Sequence, residues 1–246
     1  MSDQRDILAD LAPGGHIRAA INYGNPVLAR TDPLTGAPRG VSVDLAVRLG
    51  QRLGVAVEHV TFDAAGKVFE ALKSSAWDVA FLAIDPVRAE QIGFTEPYVV
   101  IEGSYLVRDA SPIRTIADVD RPRVRVAVGR GAAYDLFLTR SLTSAELVRA
   151  ETSAGAVALF ALGGLDAAAG VRQPLLAYAA ANPGYRVIEG RFTVIEQAMG
   201  TPRGRNAGLA FLRDFVEDAK RSGFVAAALV RHDQRDAMVA PLAAVT

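Results

Sequence analysis

Short apolar runs alternate along the chain with stretches whose apolar positions recur at helical spacing, the pattern of an α/β protein. Ile17–Asn22, Val55–Phe62 and Trp77–Ala83 read as strands, as does the Val124, Val126, Val128 alternation with Arg125 and Ala127 between. Val43, Ala46, Val47, Gly50 and Leu53 fall on one helical face, and Leu209, Leu212, Val216 and Ala219 on another. Lys67–Lys73, Thr152–Leu162, Gln173–Ala181 and a segment from about Tyr134 also read as helices, with Leu165–Ala169 a short strand. Asp, Pro, Gly and Thr crowd residues 32–40, which predicts a loop. Asp85-Pro86 marks a helix start: the carboxylate can accept from first-turn amides, and proline at N1 forfeits no hydrogen bond. Tyr98–Val107 and Phe192–Gly200 read as long extended segments, suited to two crossings between lobes. That arrangement makes the first lobe discontinuous, with residues 1–106 and 195–246, and the second 107–194.

Composition narrows the function classes. The chain has 246 residues, half of them hydrophobic, so a large core is affordable and disorder is excluded. Its 27 basic and 27 acidic residues cancel, which argues against nucleic acid as a partner. Without cysteine there are no disulfides, thiolate nucleophiles or thiolate metal sites. His16, His59 and His232 are scattered with no metal-ligand spacing, so no metal and no cofactor are expected. Met1–Asp6 is polar and lacks an apolar signal-peptide core, which leaves a cytosolic protein and one trimmed before residue 1 both open.

Two local features carry possible chemistry. Gly129-Arg130-Gly131 fails as a dinucleotide fingerprint because Tyr134 stands where the third glycine belongs. It remains either an ordinary strand-to-helix turn or a set of amides at a helix start that hold an anion. Arg88 lies just beyond the face shared by Phe81, Ala83 and Asp85; it is either a solvated side chain or a fork able to grip a carboxylate through two parallel bonds.

Gly40-Val41-Ser42-Val43-Asp44-Leu45, then Arg88 followed by Ile92-Gly93-Phe94-Thr95-Glu96-Pro97-Tyr98, then Ile116-Ala117-Asp118-Val119, Val126–Gly131 and Gly164-Leu165-Asp166-Ala167 occur in order. In this the chain resembles the family 3 extracellular solute-binding proteins, amino-acid receptors of ABC importers, from about residue 16 to 232. The resemblance implies a two-lobed type II periplasmic binding fold, each lobe a mixed sheet flanked by helices, with a two-strand hinge. It implies a periplasmic monomer that takes a small-molecule carboxylate between its lobes and works with an ABC transporter membrane component. It assigns Arg88 to the ligand carboxylate, assisted by backbone amides at Ala83, Ala132 and Ala133. Tyr23, Asn25 and Phe81 would touch the ligand body. The acids that would hold a ligand ammonium are replaced by Val171, with Arg172 beside it, and by Asn22. A ligand with a neutral or apolar body is therefore expected, since a buried ammonium without a carboxylate costs several kcal/mol. An enzyme on the same fold, resembling cyclohexadienyl dehydratase and using Glu102 or Glu196, is the alternative, with a cytosolic ligand sensor as a third.

Overall fold

The computed structural model describes residues 3–244, leaving Met1 and Ser2 of the polar N-terminal segment outside the described residues. The chain opens with α1 (Gln4–Leu11) and β1 (His16–Asn22), then a small hairpin of β2 (Arg30–Thr31) and β3 (Pro38–Arg39). Next come α2 (Val41–Leu53), β4 (Ala56–Phe62), α3 (Ala65–Glu70), β5 (Val79–Ala83), the single turn α4 (Pro86–Ala89) and the long β6 (Ile92–Arg108). The middle holds β7 (Arg125–Gly129), α5 (Ala133–Ser141), β8 (Glu146–Ala150), α6 (Ser153–Leu162), β9 (Ala167–Val171), α7 (Arg172–Ala181) and β10 (Tyr185–Val187). The chain closes with β11 (Thr193–Pro202), α8 (Asn206–Arg221), α9 (Phe224–Arg231) and β12 (Met238–Val239).

Two compact units result. The first comprises residues up to 63, 67–100 and 196 onward, and the second 64–66 and 101–195. Apart from the short 64–66 segment, the change of unit falls inside β6 and inside β11, so two extended strands carry the chain between the units.

In the first unit β1 lies between β4 and β5, all parallel, and β11 pairs antiparallel with β5. Every residue of β5 is buried, as expected for a central strand covered on both faces. Leu45 and Leu49 of α2 are fully buried in this core, together with Ile17 and Ile21 of β1. Gly50 of α2 lies so close to β4 that a Cβ there would come within 2.4 Å of Val57 Cγ2. Trp77 is fully buried just before β5, and its Nε1 donates to Val68 O at 2.8 Å, which satisfies the one polar group of the indole.

The second unit has β9 paired antiparallel with β6 and parallel with β7, and β8 parallel beside β7 at the edge. Its core gathers Leu106, Ala127, Phe160, Ala168 and Leu175. Arg108 of β6 is held within this unit, donating to Phe160 O at 2.8 Å and Leu165 O at 3.1 Å, with its guanidinium over the Phe160 ring.

Several elements differ from the sequence expectation. Within the 32–40 stretch, residues 32–37 form the turn of the β2–β3 hairpin and Pro38–Arg39 its second strand, rather than a plain loop. The long strand begins at Ile92, six residues before Tyr98, because Pro97 marks a break by pattern yet sits within a strand that tolerates its missing N–H. Edge strand β8 is not predicted by the pattern of apolar positions, because its side chains alternate only weakly in burial. The helix expected over 67–73 is α3 followed by a 3₁₀ turn at Ala71–Ser74.

Asp120 ties the second unit's surface together by accepting from the amides of Thr143, Ser144 and Ala145. Those backbone bonds, the Thr143 amide foremost, hold its carboxyl down to about 2 with help from the Thr143 hydroxyl and against the opposing effect of burial. A carboxyl held below its unfolded value supports the fold above about pH 4 and loses that support as pH falls through 2. Amide exchange at residues 143–145 is expected to stay slow at pH 4 and to accelerate below pH 2.5; equal exchange in an Asp120→Ala variant at pH 6 would contradict this.

Candidate ligand site

In the first unit, the β1–β5 register pairs Ala19 with Val79 and Ala20 with Ala80. Continued three residues, it sets the turn after β1 level with Ala83 at the C-terminal end of β5. The ends of parallel strands are where open α/β sheets place their ligands. Asn22 Oδ1 accepts from Gly24 N at 2.9 Å and turns the chain, while Tyr23 N donates to Phe62 O at 2.8 Å. Asn25 is 7 % exposed, and its backbone carbonyl accepts from Leu28 N and Ala29 N. Its side-chain Oδ1 is buried with no hydrogen-bond partner among the described residues.

Beyond β5 the chain enters α4. Asp85 caps that turn through its Oδ1, which accepts from Val87 N at 2.9 Å, and Pro86 occupies the first helical position, both as the sequence suggests. This short turn delivers Arg88 back toward the strand it left. Its Nη1 donates to Ala83 O at 2.9 Å, and the residue is only 1 % exposed. Burial pushes the guanidinium down to about 10, with the nearby Asp85 carboxylate opposing that shift. At neutral pH it is still a cation. The solvated alternative for Arg88 is therefore excluded.

Phe81 is 2 % exposed and stands edge-on to Tyr98, with ring centroids 6.1 Å apart; Tyr98 in turn meets Ser42 Oγ at 3.0 Å.

In the second unit, β7 runs into the turn before α5. Gly131 takes φ +67°, which favours glycine, and its amide donates to Asp135 Oδ2 at 2.8 Å. Ala132 N donates to Gly129 O at 3.1 Å, so this amide is taken up by the turn itself. The amides of Ala133 and Tyr134 have no protein acceptor among the described residues, as expected for the first turn of a helix. Tyr134 braces this turn, a role that no residue pattern signals. Its hydroxyl accepts from Gly129 N at 3.3 Å and donates to Ser153 Oγ at 2.9 Å. Asp135 is buried and paired with Arg149 at 3.0 Å, which neutralises its charge beside these amides.

Val171 and Arg172 stand at the start of α7. Val171 pairs with Gly103, and Arg172 Nη1 donates to Gly190 O at 2.8 Å and Ile188 O at 3.3 Å. The arginine thus fixes a loop of its own unit. Glu102 is bonded to Arg191 at 2.5 Å, and Glu196 is exposed. Among the described residues, no group of three or more His, Asp or Glu side chains could hold a metal ion.

Residues 17–233 match the bacterial extracellular solute-binding proteins, family 3. The chain belongs to this family. Solved structures share its two-lobed type II periplasmic binding fold. A mutant of ArgBP from T. maritima superposes with a TM-score of 0.79 at 21% identity, covering 92% of this chain and 99% of that one. The L-cysteine solute receptor of Neisseria gonorrhoeae gives 0.80 at 23%, covering 92% of each. The ancestral amino acid-binding protein AncCDT-1, a precursor of cyclohexadienyl dehydratase, gives 0.76 at 24%, covering 91% and 98%. No curated protein matches the chain in sequence. Like the rest of its family, the chain is a solute-binding protein.

Proposed function

We propose that this solute-binding protein captures a small organic acid with a neutral or apolar body and delivers it, as a monomer, to the membrane component of an ABC importer. The observation that carries this reading is Arg88, a guanidinium completely withdrawn from water at the end of a central strand. A buried cation held at about 10 gains by meeting an anion that can match its planar fork. In this reading Arg88 grips the ligand carboxylate, the amides of Ala83 and Ala133 assist, and Tyr23, Asn25 and Phe81 contact the body. Lobe closure, with the strand segments at 104–108 and 194–198 as hinges, stabilises the bound form because ligand contacts on both lobes add only there.

The choice of a non-zwitterionic acid is supported by side-chain chemistry. Asn22 spends its carbonyl on Gly24 N, and Val171 offers an ammonium nothing. Solved proteins of this fold include a solute receptor for L-cysteine, a binding component complexed with lysine and a substrate-binding protein bound to L-arginine, so the expected departure is in ligand class, not in fold. Calorimetric titration of carboxylic acids against their α-amino counterparts tests this; the unsubstituted acid is expected to bind at least about tenfold more tightly. Tight binding of a common zwitterionic amino acid would overturn it. In the same assay Val171→Asp is expected to improve the amino-acid counterpart by roughly tenfold, the scale of one charge-assisted bond. An unchanged ratio would detach residue 171 from ligand selection.

Glu102 is occupied by Arg191 and Glu196 is exposed, so neither favours the dehydratase alternative.

A further inference from the structure

A further cavity lies wholly within the first unit, and its lining includes Ile84 and Ala89, chain neighbours of Ala83 and Arg88. It is a groove of about 460 Å³ between the start of β6, the end of β11 and the first turns of α8. Its apolar lining comes from Ile84, Ile92, Phe94 and Leu209. Leu209 reaches the lining because Gly93 leaves room: a Cβ there would come within 2.7 Å of Leu209 Cδ2.

Three arginines edge this groove, and their partners differ. Arg205 is committed, donating to Asp78 Oδ1 at 3.0 Å and Asp10 O at 2.6 Å. Arg203 is braced by carbonyls alone, its Nη1 donating to Ala89 O at 3.2 Å and Glu90 O at 3.4 Å. Arg213 stands one helical turn after Leu209, on the same face of α8. Among the described residues no carboxylate pairs with Arg203 or Arg213, although Arg203 bonds to the Glu90 carbonyl and Asp214 follows Arg213 directly in the chain. Bracing by neutral carbonyls fixes the Arg203 fork while leaving its charge uncompensated. An apolar trough under two uncompensated guanidiniums is complementary to one kind of molecule.

We propose that this groove is a second binding site, for a small amphiphilic anion whose apolar body lies on Phe94 and Leu209 and whose carboxylate meets Arg203 and Arg213. The cavity is of the size usual for small-molecule sites. Nothing in the proposal depends on Arg88. It would let the protein carry or sense an apolar acid independently of the transported solute.

The test is a titration of the ¹⁵N-labelled chain with 1-naphthaleneacetate, read from amide shifts at Gly93, Phe94 and Leu209. Saturable shifts are expected there, unchanged in the Arg88→Ala protein. The uncharged 1-naphthaleneacetamide should bind about five- to tenfold more weakly, as should the acid in an Arg203→Ala/Arg213→Ala variant. Both arginines are exposed, so that variant should keep the wild-type melting temperature. Absent or non-saturating shifts, or shifts surviving in the double variant, would overturn the proposal. So would saturation by an acidic, aromatic-containing peptide with no response to the small acid, which would make the groove a protein-docking surface instead.

Discussion

Arg88→Ala should weaken binding of the cognate acid by about 2–5 kcal/mol, the cost of removing one partner from a buried charge pair, or roughly thirtyfold to several thousandfold in Kd. The size follows from burial. A guanidinium held at about 10, below its ordinary value, has lost on the order of a few kcal/mol of preference for its charged form through burial. Because the folded value lies below the unfolded one, this penalty is fully present below about pH 10 and is relieved only above it. A ligand carboxylate that compensates the charge recovers part of that cost, which a surface arginine could not offer. Arg88→Lys is expected to lose most of the affinity as well, since an ammonium keeps the charge but not the paired fork. Calorimetry on both variants, with circular dichroism to show that each is folded, checks this. Affinity within threefold of wild type in Arg88→Ala would remove Arg88 from the site.

The second large effect is on stability. Asp78 is fully buried, and its carboxylate collects Arg18 from two directions and Arg205 from a third. Burial alone would raise this carboxyl; the hydrogen bonds from Arg18 and Arg205 outweigh it and hold the group below the usual aspartate range. Asp78→Ala should cost about 3–5 kcal/mol, because two part-buried guanidiniums and the Arg18 amide lose their acceptor together. Asp78→Asn should cost less, since the amide retains an acceptor oxygen. The pH dependence has a definite sign. A carboxyl lowered in the folded state contributes stability that is present above about pH 4 and is lost as pH falls through the folded value. Urea unfolding between pH 2 and 6 should show this acid limb in the wild type and a reduced one in Asp78→Ala. A variant within 1 kcal/mol of wild type would mean that the two arginines find other acceptors.

Much of this molecule is legible from residue order alone, and the reasons differ by element. The β1, β5 and β7 strands announce themselves through apolar runs, and α4 through Asp85-Pro86, because caps and N1 prolines act locally. The start of β6 was hidden by Pro97, and β8 by its place at a sheet edge, where one side needs no apolar face. At the site, Arg88 could be chosen but not decided. Its helical position argued for solvent, and only the fold back onto Ala83 O shows that it is buried. The Ala132 amide could not be known to close on Gly129 O, nor Tyr134 to brace that turn, since both depend on backbone path rather than residue type. Asp78 gave no signal at all. Its partners Arg18 and Arg205 are 60 and 127 positions distant, and only tertiary structure brings three such charges together.

A crystal structure with the tightest-binding acid from a carboxylate screen tests the central claim most directly. The ligand carboxylate is expected about 3 Å from the Arg88 guanidinium, accepting two roughly parallel hydrogen bonds. A ligand whose carboxylate is held by other groups, with the Arg88 guanidinium making no hydrogen bond to it, would contradict it.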